Sequence, residues 1–465
     1  MEAKKVPFLI EKESSLTMFF SICRRGIEAM RPRAIEEVHP TTTKDDDTES
    51  LVETTVPDQG FSPEWLERTC QGMKRNDPHL DELEIDPGDH EFGDEQVMEL
   101  SDALRKNRTV TRLVLRNVEI GKNGSTHLTP MLKTTKSIRS LYLEDARGEG
   151  QIAVSLALSL NTMSSIQVLH LKGNLVDTRS AEALGHMLNV NTSLTELRLC
   201  HNLIDKNAVS KIAQGLKVNK GLKVLDLLGN GLDDACVQRI ARALKYNTSL
   251  EFLCLDFNDF GYYGVEAIAE MIAHNTALEE LHLFGNRIDA SGAECLASAL
   301  RQNRALKTLI LSFNHIGDRG ANALARALTE NSTLTKLWFP SNSVGNDGLR
   351  AFGECLPHMR GLEQLNVGDF FDNCAAEALL DGLKLNTKLS VLYMESPVYD
   401  SYWMEKRLDF YLRLNKSGRS LLHDTSAPST LWATALARAN RNDNEGNPDT
   451  LYYLLQEKPD LFDSR

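Results

Sequence analysis

The chain of 465 residues has no C-x-x-C pair among its eight cysteines, and their spacing suits neither a zinc site nor a disulfide framework. Reduced thiols in a cytoplasmic or nuclear protein are the simplest account. Aromatic residues are scarce at 6%, with four tryptophans. Basic residues do not dominate: the net charge of −13 argues against a nucleic-acid groove, which needs clustered Lys and Arg. No apolar run reaches the roughly 18 residues of a membrane span. Leu16 to Cys23 is partly apolar, but Glu11, Lys12 and Glu13 precede it and no cleavage signal follows, so a cytoplasmic location is expected. A phosphate-binding G-x-x-x-x-G-K-[ST], an H-E-x-x-H and a Ser-His-Asp arrangement are all missing, and no metal ligands cluster along the chain. His170, His282 and His315 read as solvated surface residues. No catalytic residue, metal or cofactor is expected.

What the chain does have is a period. A pattern L-x-x-L-x-L-x-x-N starts at Ile166, Leu194, Leu222, Leu250, Leu278, Leu306 and Leu334, always 28 residues apart. Its last slot holds Asn174, Asn202, Asn230, Asn258, Asn286, Asn314 and Asn342. Looser copies begin at Leu80, Val110, Ile138, Leu362 and Leu389, about a dozen units in all. Self-similarity of this length and pattern is the signature of a leucine-rich-repeat solenoid.

The unit from Leu278 to Ala305 shows how one repeat is built. Alternation around Leu281 and Leu283 is strand periodicity, turning those two inward and Glu280, His282 and Phe284 toward solvent. Asn286 ends the strand, where its amide can satisfy turn backbone. Asp289 stands where a helix N-cap belongs, and Ala293, Leu296, Ala297 and Leu300 form one apolar helix face. One unit cannot bury that face, so only stacking does. The expected fold is α/β: a right-handed horseshoe with parallel strands on the concave face and helices on the convex one.

The spacing and the D-x-x-G-A-x-x-L-A-x-A-L helices resemble the ribonuclease-inhibitor-like subfamily of leucine-rich repeats over residues 80–397. Ribonuclease inhibitor, the repeat domains of NOD-like receptors and the Ran GTPase-activating protein are members. The resemblance implies a binding horseshoe without choosing its ligand. For GTPase activation of the Ran type, it implies a turn of the form Asn-Asn-Gly-Leu-Gly and an acidic C-terminal tail. Here the nearest turn is Gly229-Asn230-Gly231-Leu232-Asp233, and the tail carries Lys406, Arg407, Arg413 and Arg419. A stand-alone relative of NOD-like receptor sensor domains is a further alternative.

Four segments follow. Residues 1–60, with Thr41-Thr42-Thr43 and Asp45-Asp46-Asp47, lack periodic apolar residues and read as disordered. Residues 61–79 should form an N-terminal capping helix started by Ser62-Pro63-Glu64 and ending about Met73. Residues 80–397 form the solenoid, with Pro397 in an asparagine slot. Residues 398–465 carry helices at about 402–414, 428–440 and 449–457, with Trp403, Leu408 and Trp432, and read as a helical cap.

Sequons such as Asn191-Thr192-Ser193 and Asn247-Thr248-Ser249 recur at the ends of repeated helices and follow from the repeat rather than from glycosylation. Register places Phe252, Phe284, Ile310 and Trp338 on the open strand surface, with Asp226, Asp256, His282 and Arg198 beside them and Cys200 and Cys254 also facing solvent. Exposed aromatic and apolar residues in one patch mark a contact surface. The expected function is a monomeric, non-catalytic scaffold that binds a protein partner on this face, with neither nucleic acid nor membrane involved.

Overall fold

The computed structural model describes residues 61–457 apart from short breaks at 89, 147, 149, 162–164, 174–175, 203, 369–371, 395–401, 424–428 and 443–448. The expected disordered segment 1–60, Asn174 and Pro397 lie outside the described residues. Twelve strands line up in chain order in one wholly parallel sheet. Between consecutive strands runs one α-helix, and consecutive α-helices pack on one another. This is an α/β leucine-rich-repeat solenoid.

The central strands are short. The fifth to tenth, β5 (Glu196–Arg198), β6 (Val224–Asp226), β7 (Phe252–Cys254), β8 (Glu280–His282), β9 (Thr308–Ile310) and β10 (Lys336–Trp338), span three residues each. They pair in perfect 28-residue register, so Leu197, Leu225, Leu253, Leu281, Leu309 and Leu337 stack in one fully buried row. In the Leu278 unit, Leu283 and Ile288 join the core. Asp289 caps the helix Ala290–Gln302 by accepting from the Gly292 N–H at 2.8 Å. That helix buries Ala293, Leu296, Ala297 and Leu300 against its neighbours, as its apolar stripe requires.

Two asparagine ladders run through the stack. In the first, Asn258 Nδ2 donates to the carbonyls of Leu227, Leu255 and Asp256, and its Oδ1 accepts from the N–H groups of Asn230 and Leu232. Asn202, Asn230, Asn286, Asn314 and Asn342 are buried and donate in the same way. The second ladder follows each helix. Asn247 Nδ2 donates to the carbonyls of Leu216 and Asn219, while its Oδ1 accepts from the Ser249 and Leu250 N–H groups. Asn191, Asn219, Asn275, Asn303 and Asn331 repeat this geometry. The sequons are therefore half of a buried hydrogen-bond ladder, closed to modification in the folded chain.

The helix Pro63–Arg75 starts with Ser62 Oγ accepting from the Trp65 N–H at 3.2 Å and runs two residues past the expected end. It buries Trp65, Leu66 and Met73 against the first repeat helix. At the other end, the helix Tyr402–Ser417 packs on Asn373–Leu385, the helix of the preceding repeat. Met404 and Leu408 join the continuous core, and Asn415 Nδ2 donates to the carbonyls of Asn386 and Leu389, extending the second ladder. The helices Ser429–Asn442 and Asp449–Glu457 close over Leu414 with Ala439 and Leu454. Among the described residues no helix is long and apolar enough to cross a membrane.

Candidate protein-binding face of the sheet

Because parallel strands lie ~4.8 Å apart, residues 28 apart in sequence become side-by-side neighbours. The row across the open sheet face reads Arg198, Asp226, Cys254, His282, Ile310 and Trp338. This packing corrects several expectations. Ile310 is only 5% exposed, because His282 and Trp338 flank it on the adjoining strands. Asp226 is likewise 5% exposed, accepting from Arg198 Nη1 at 3.2 Å and from the Leu228 N–H at 3.0 Å. Cys254 is buried between Asp226 and His282. Strand alternation tells which way a side chain leaves the backbone, whereas neighbours 28 residues away decide whether water reaches it.

Arg198 is an internal link rather than a solvent-facing charge. Its Nε donates to Glu196 Oε1 at 2.6 Å, and His170 Nε2 lies 2.8 Å from that same oxygen. Burial would raise the Glu196 carboxyl, but the bonds from His170 and Arg198 outweigh it and hold the group at about 2.

His282 also departs from the solvated reading. Its Nε2 lies 2.7 Å from Glu280 Oε1 and its Nδ1 lies 3.7 Å from Asp256 Oδ2. Burial works to lower its pKa, yet the two flanking carboxylates raise it to about 9. Phe252 packs edge-on against this ring at 4.9 Å. Cys254 and Asp256, two residues apart, and His282, one repeat on, thus converge into a cluster of potential ligands.

Phe284 belongs to an aromatic strip that includes two residues the sequence reading missed. Its ring lies 4.8 Å from Phe257 and 5.0 Å from Phe313. Phe257 and Phe313 are 37% and 42% exposed. Both sit in the left-handed region, with φ of 51° and 56°. They occupy the slot before each ladder asparagine, filled by Gly173, Gly229 and Gly285 in some repeats and by His201 and Ser341 in others, all with positive φ. At Gly285 a side chain would also strike the Phe257 ring, 2.9 Å from a Cβ there. A bulky residue at positive φ is costly. A large aromatic in a slot otherwise held by Gly, His or Ser was the legible signal.

Farther along the face, Trp338 is half-buried and packs against the exposed Tyr393 at 6.1 Å, with Lys336 Nζ 5.3 Å from the indole centre. The Trp338 indole N–H has no hydrogen-bond partner. The helical contacts of the C-terminal segment lie with one another and with Asn373–Leu385.

A family described as Leucine Rich repeat matches residues 246–269, 274–297 and 302–325. No curated protein matches the chain. Among solved structures, the leiomodin-1 actin-binding site 2 is similar at 20% identity and a TM-score of 0.29, over 40% of this chain and 95% of that one. An internalin from Listeria monocytogenes is similar at 18% identity and a TM-score of 0.41, over 71% of this chain and 79% of that one.

Proposed function

We propose that this leucine-rich-repeat chain is a non-catalytic scaffold, acting as a monomer in a reducing cytoplasmic compartment, that binds a protein partner on the open face of its sheet. The observation that carries this reading is the strip of Phe257, Phe284 and Phe313, held in ring contact with two members exposed. Folding gives no reason for phenylalanine at an exposed left-handed position, where glycine is at ease. Strain kept at a surface site supports a function for it, and clustered aromatic anchors suit the centre of a protein interface. Trp338 and the exposed Tyr393, in ring contact, supply a second anchor on the same face.

The test replaces each phenylalanine by the residue another repeat holds in the same slot: Phe257→His, after His201, and Phe313→Ser, after Ser341. Wild type and the double variant are compared by proximity labelling in cells, and each recovered partner is then titrated as purified protein. The expected result is an unchanged fold by circular dichroism and a partner bound at least thirtyfold more weakly, since interface aromatics typically contribute ~2 kcal/mol or more each. Equal affinity of every recovered partner for both forms would overturn the placement of the site.

A further inference from the structure

We propose that Cys254, Asp256 and His282 form a binding site for one divalent ion of the Zn²⁺ class on the open face of the sheet, independent of the aromatic strip. One ligand atom from each, the thiol sulfur, a carboxylate oxygen and a ring nitrogen, lie within 4.8 Å of one another. Around tetrahedral zinc, such atoms stand roughly 3.3–3.8 Å apart, given bonds of about 2.0–2.3 Å. His282 Nδ1 and Asp256 Oδ2 already stand 3.7 Å apart. That distance is too long for a hydrogen bond and suits two corners of a coordination tetrahedron.

The surroundings aim these atoms at one another. His282 Nε2 is engaged by Glu280 Oε1 at 2.7 Å, which leaves Nδ1 turned to the cluster. Asp256 Oδ1 accepts from the Phe284 N–H at 2.7 Å, which leaves Oδ2 on the same side. Carboxylate and backbone partners of this kind are what orient metal-ligating side chains. Strand register supplies the third ligand, because Cys254 and His282 are paired neighbours on β7 and β8.

Charge points the same way. The carboxylates of Asp226, paired with Cys254 on the adjoining strand, and of Asp256, two residues on, stand beside the Cys254 sulfur. Negative groups thus surround a soft sulfur, an environment that a cation relieves. Mixed sulfur, nitrogen and oxygen donors select zinc or cobalt over magnesium or calcium, which take oxygen. Binding displaces the thiol proton and the Nδ1 proton, leaving thiolate and neutral imidazole as ligands.

The experiment titrates the purified full chain, stripped with chelator, with Zn²⁺ against a chromophoric chelator, and separately with Co²⁺. Expected are one ion per chain and a thiolate-to-cobalt charge-transfer band. Cys254→Ala and Asp256→Asn should lose the site, weakening binding at least a hundredfold. Glu280→Gln, which disturbs only the orientation of His282, should weaken it about 10–100-fold. Cys374→Ser, at an exposed thiol elsewhere, should bind as wild type does. Should Cys254→Ala fail to fold, the Co²⁺ spectrum of the wild type decides alone. Wild-type chain that binds no ion, or a cobalt complex without a thiolate band, would overturn the proposal. His282 would then be a structural link between two carboxylates.

Discussion

Asn258→Ala tests whether hydrogen bonding inside the turns, rather than apolar packing alone, holds the repeats together. Asn258 is buried, and its amide makes three donor contacts to carbonyls and receives two backbone N–H groups. Alanine removes all five. The Leu227 carbonyl keeps a bond from Asn230 Nδ2 at 3.0 Å, so its loss is partial. No other bond is seen for the N–H groups of Asn230 and Leu232, and burial keeps bulk water from them. At roughly 1–3 kcal/mol per orphaned buried group, these two amides alone set a destabilisation of about 2–6 kcal/mol. Native-state hydrogen exchange gives the direct readout: exchange at Asn230 and Leu232 should quicken about tenfold for each 1.4 kcal/mol lost. Asn258→Asp separates bonding from shape. It keeps the acceptor oxygen and the volume but sets a carboxylate oxygen against three carbonyls, so it should destabilise at least as much. A denaturant midpoint unchanged in both variants would refute the reasoning and mean that the turns are hydrated.

Leu255→Ala, at a fully buried inward slot, should cost about 2–5 kcal/mol through lost transfer energy and a cavity, read as a lower denaturation midpoint. Trp338→Ala should weaken the partner by about 2 kcal/mol or more in a binding titration while leaving circular dichroism unchanged. Because the Glu196 carboxyl is held at about 2 against an ordinary 4.5, its contribution is complete above pH 4.5 and lost as pH falls toward 2. Glu196→Gln should therefore be less stable than wild type near neutrality, by up to about 3 kcal/mol, and the gap should close in acid melts. Deleting 398–465 uncovers the apolar side of Asn373–Leu385 now met by Met404 and Leu408, and the shortened chain should aggregate or lose its cooperative melt on light scattering and calorimetry.

The period, the inward leucines, the Asp289 cap and the asparagine row were legible in the chain because each follows from a local rule repeated 28 residues on. A strand alternates, a helix needs a stripe and a cap, and a turn needs its backbone groups bonded; none of these depends on distant residues. The second asparagine ladder was present in the sequons, but only its carbonyl partners, one repeat back, reveal its role. The state of the open face was another matter. Alternation put Asp226, Cys254, His282 and Ile310 on that face correctly, yet parallel stacking wedges each between neighbours on adjoining strands and removes most of its water. The same stacking makes an ion-paired link of Arg198 and a ligand cluster of Cys254, Asp256 and His282. Phe257 and Phe313 show the limit from the opposite side, since their slot was readable while their meeting with Phe284 was not. Sequence alone determined the solenoid, because its forces act within one repeat and between equivalent positions. Tertiary structure decided the site, because exposure and convergence of side chains depend on which unlike residues the stack sets side by side.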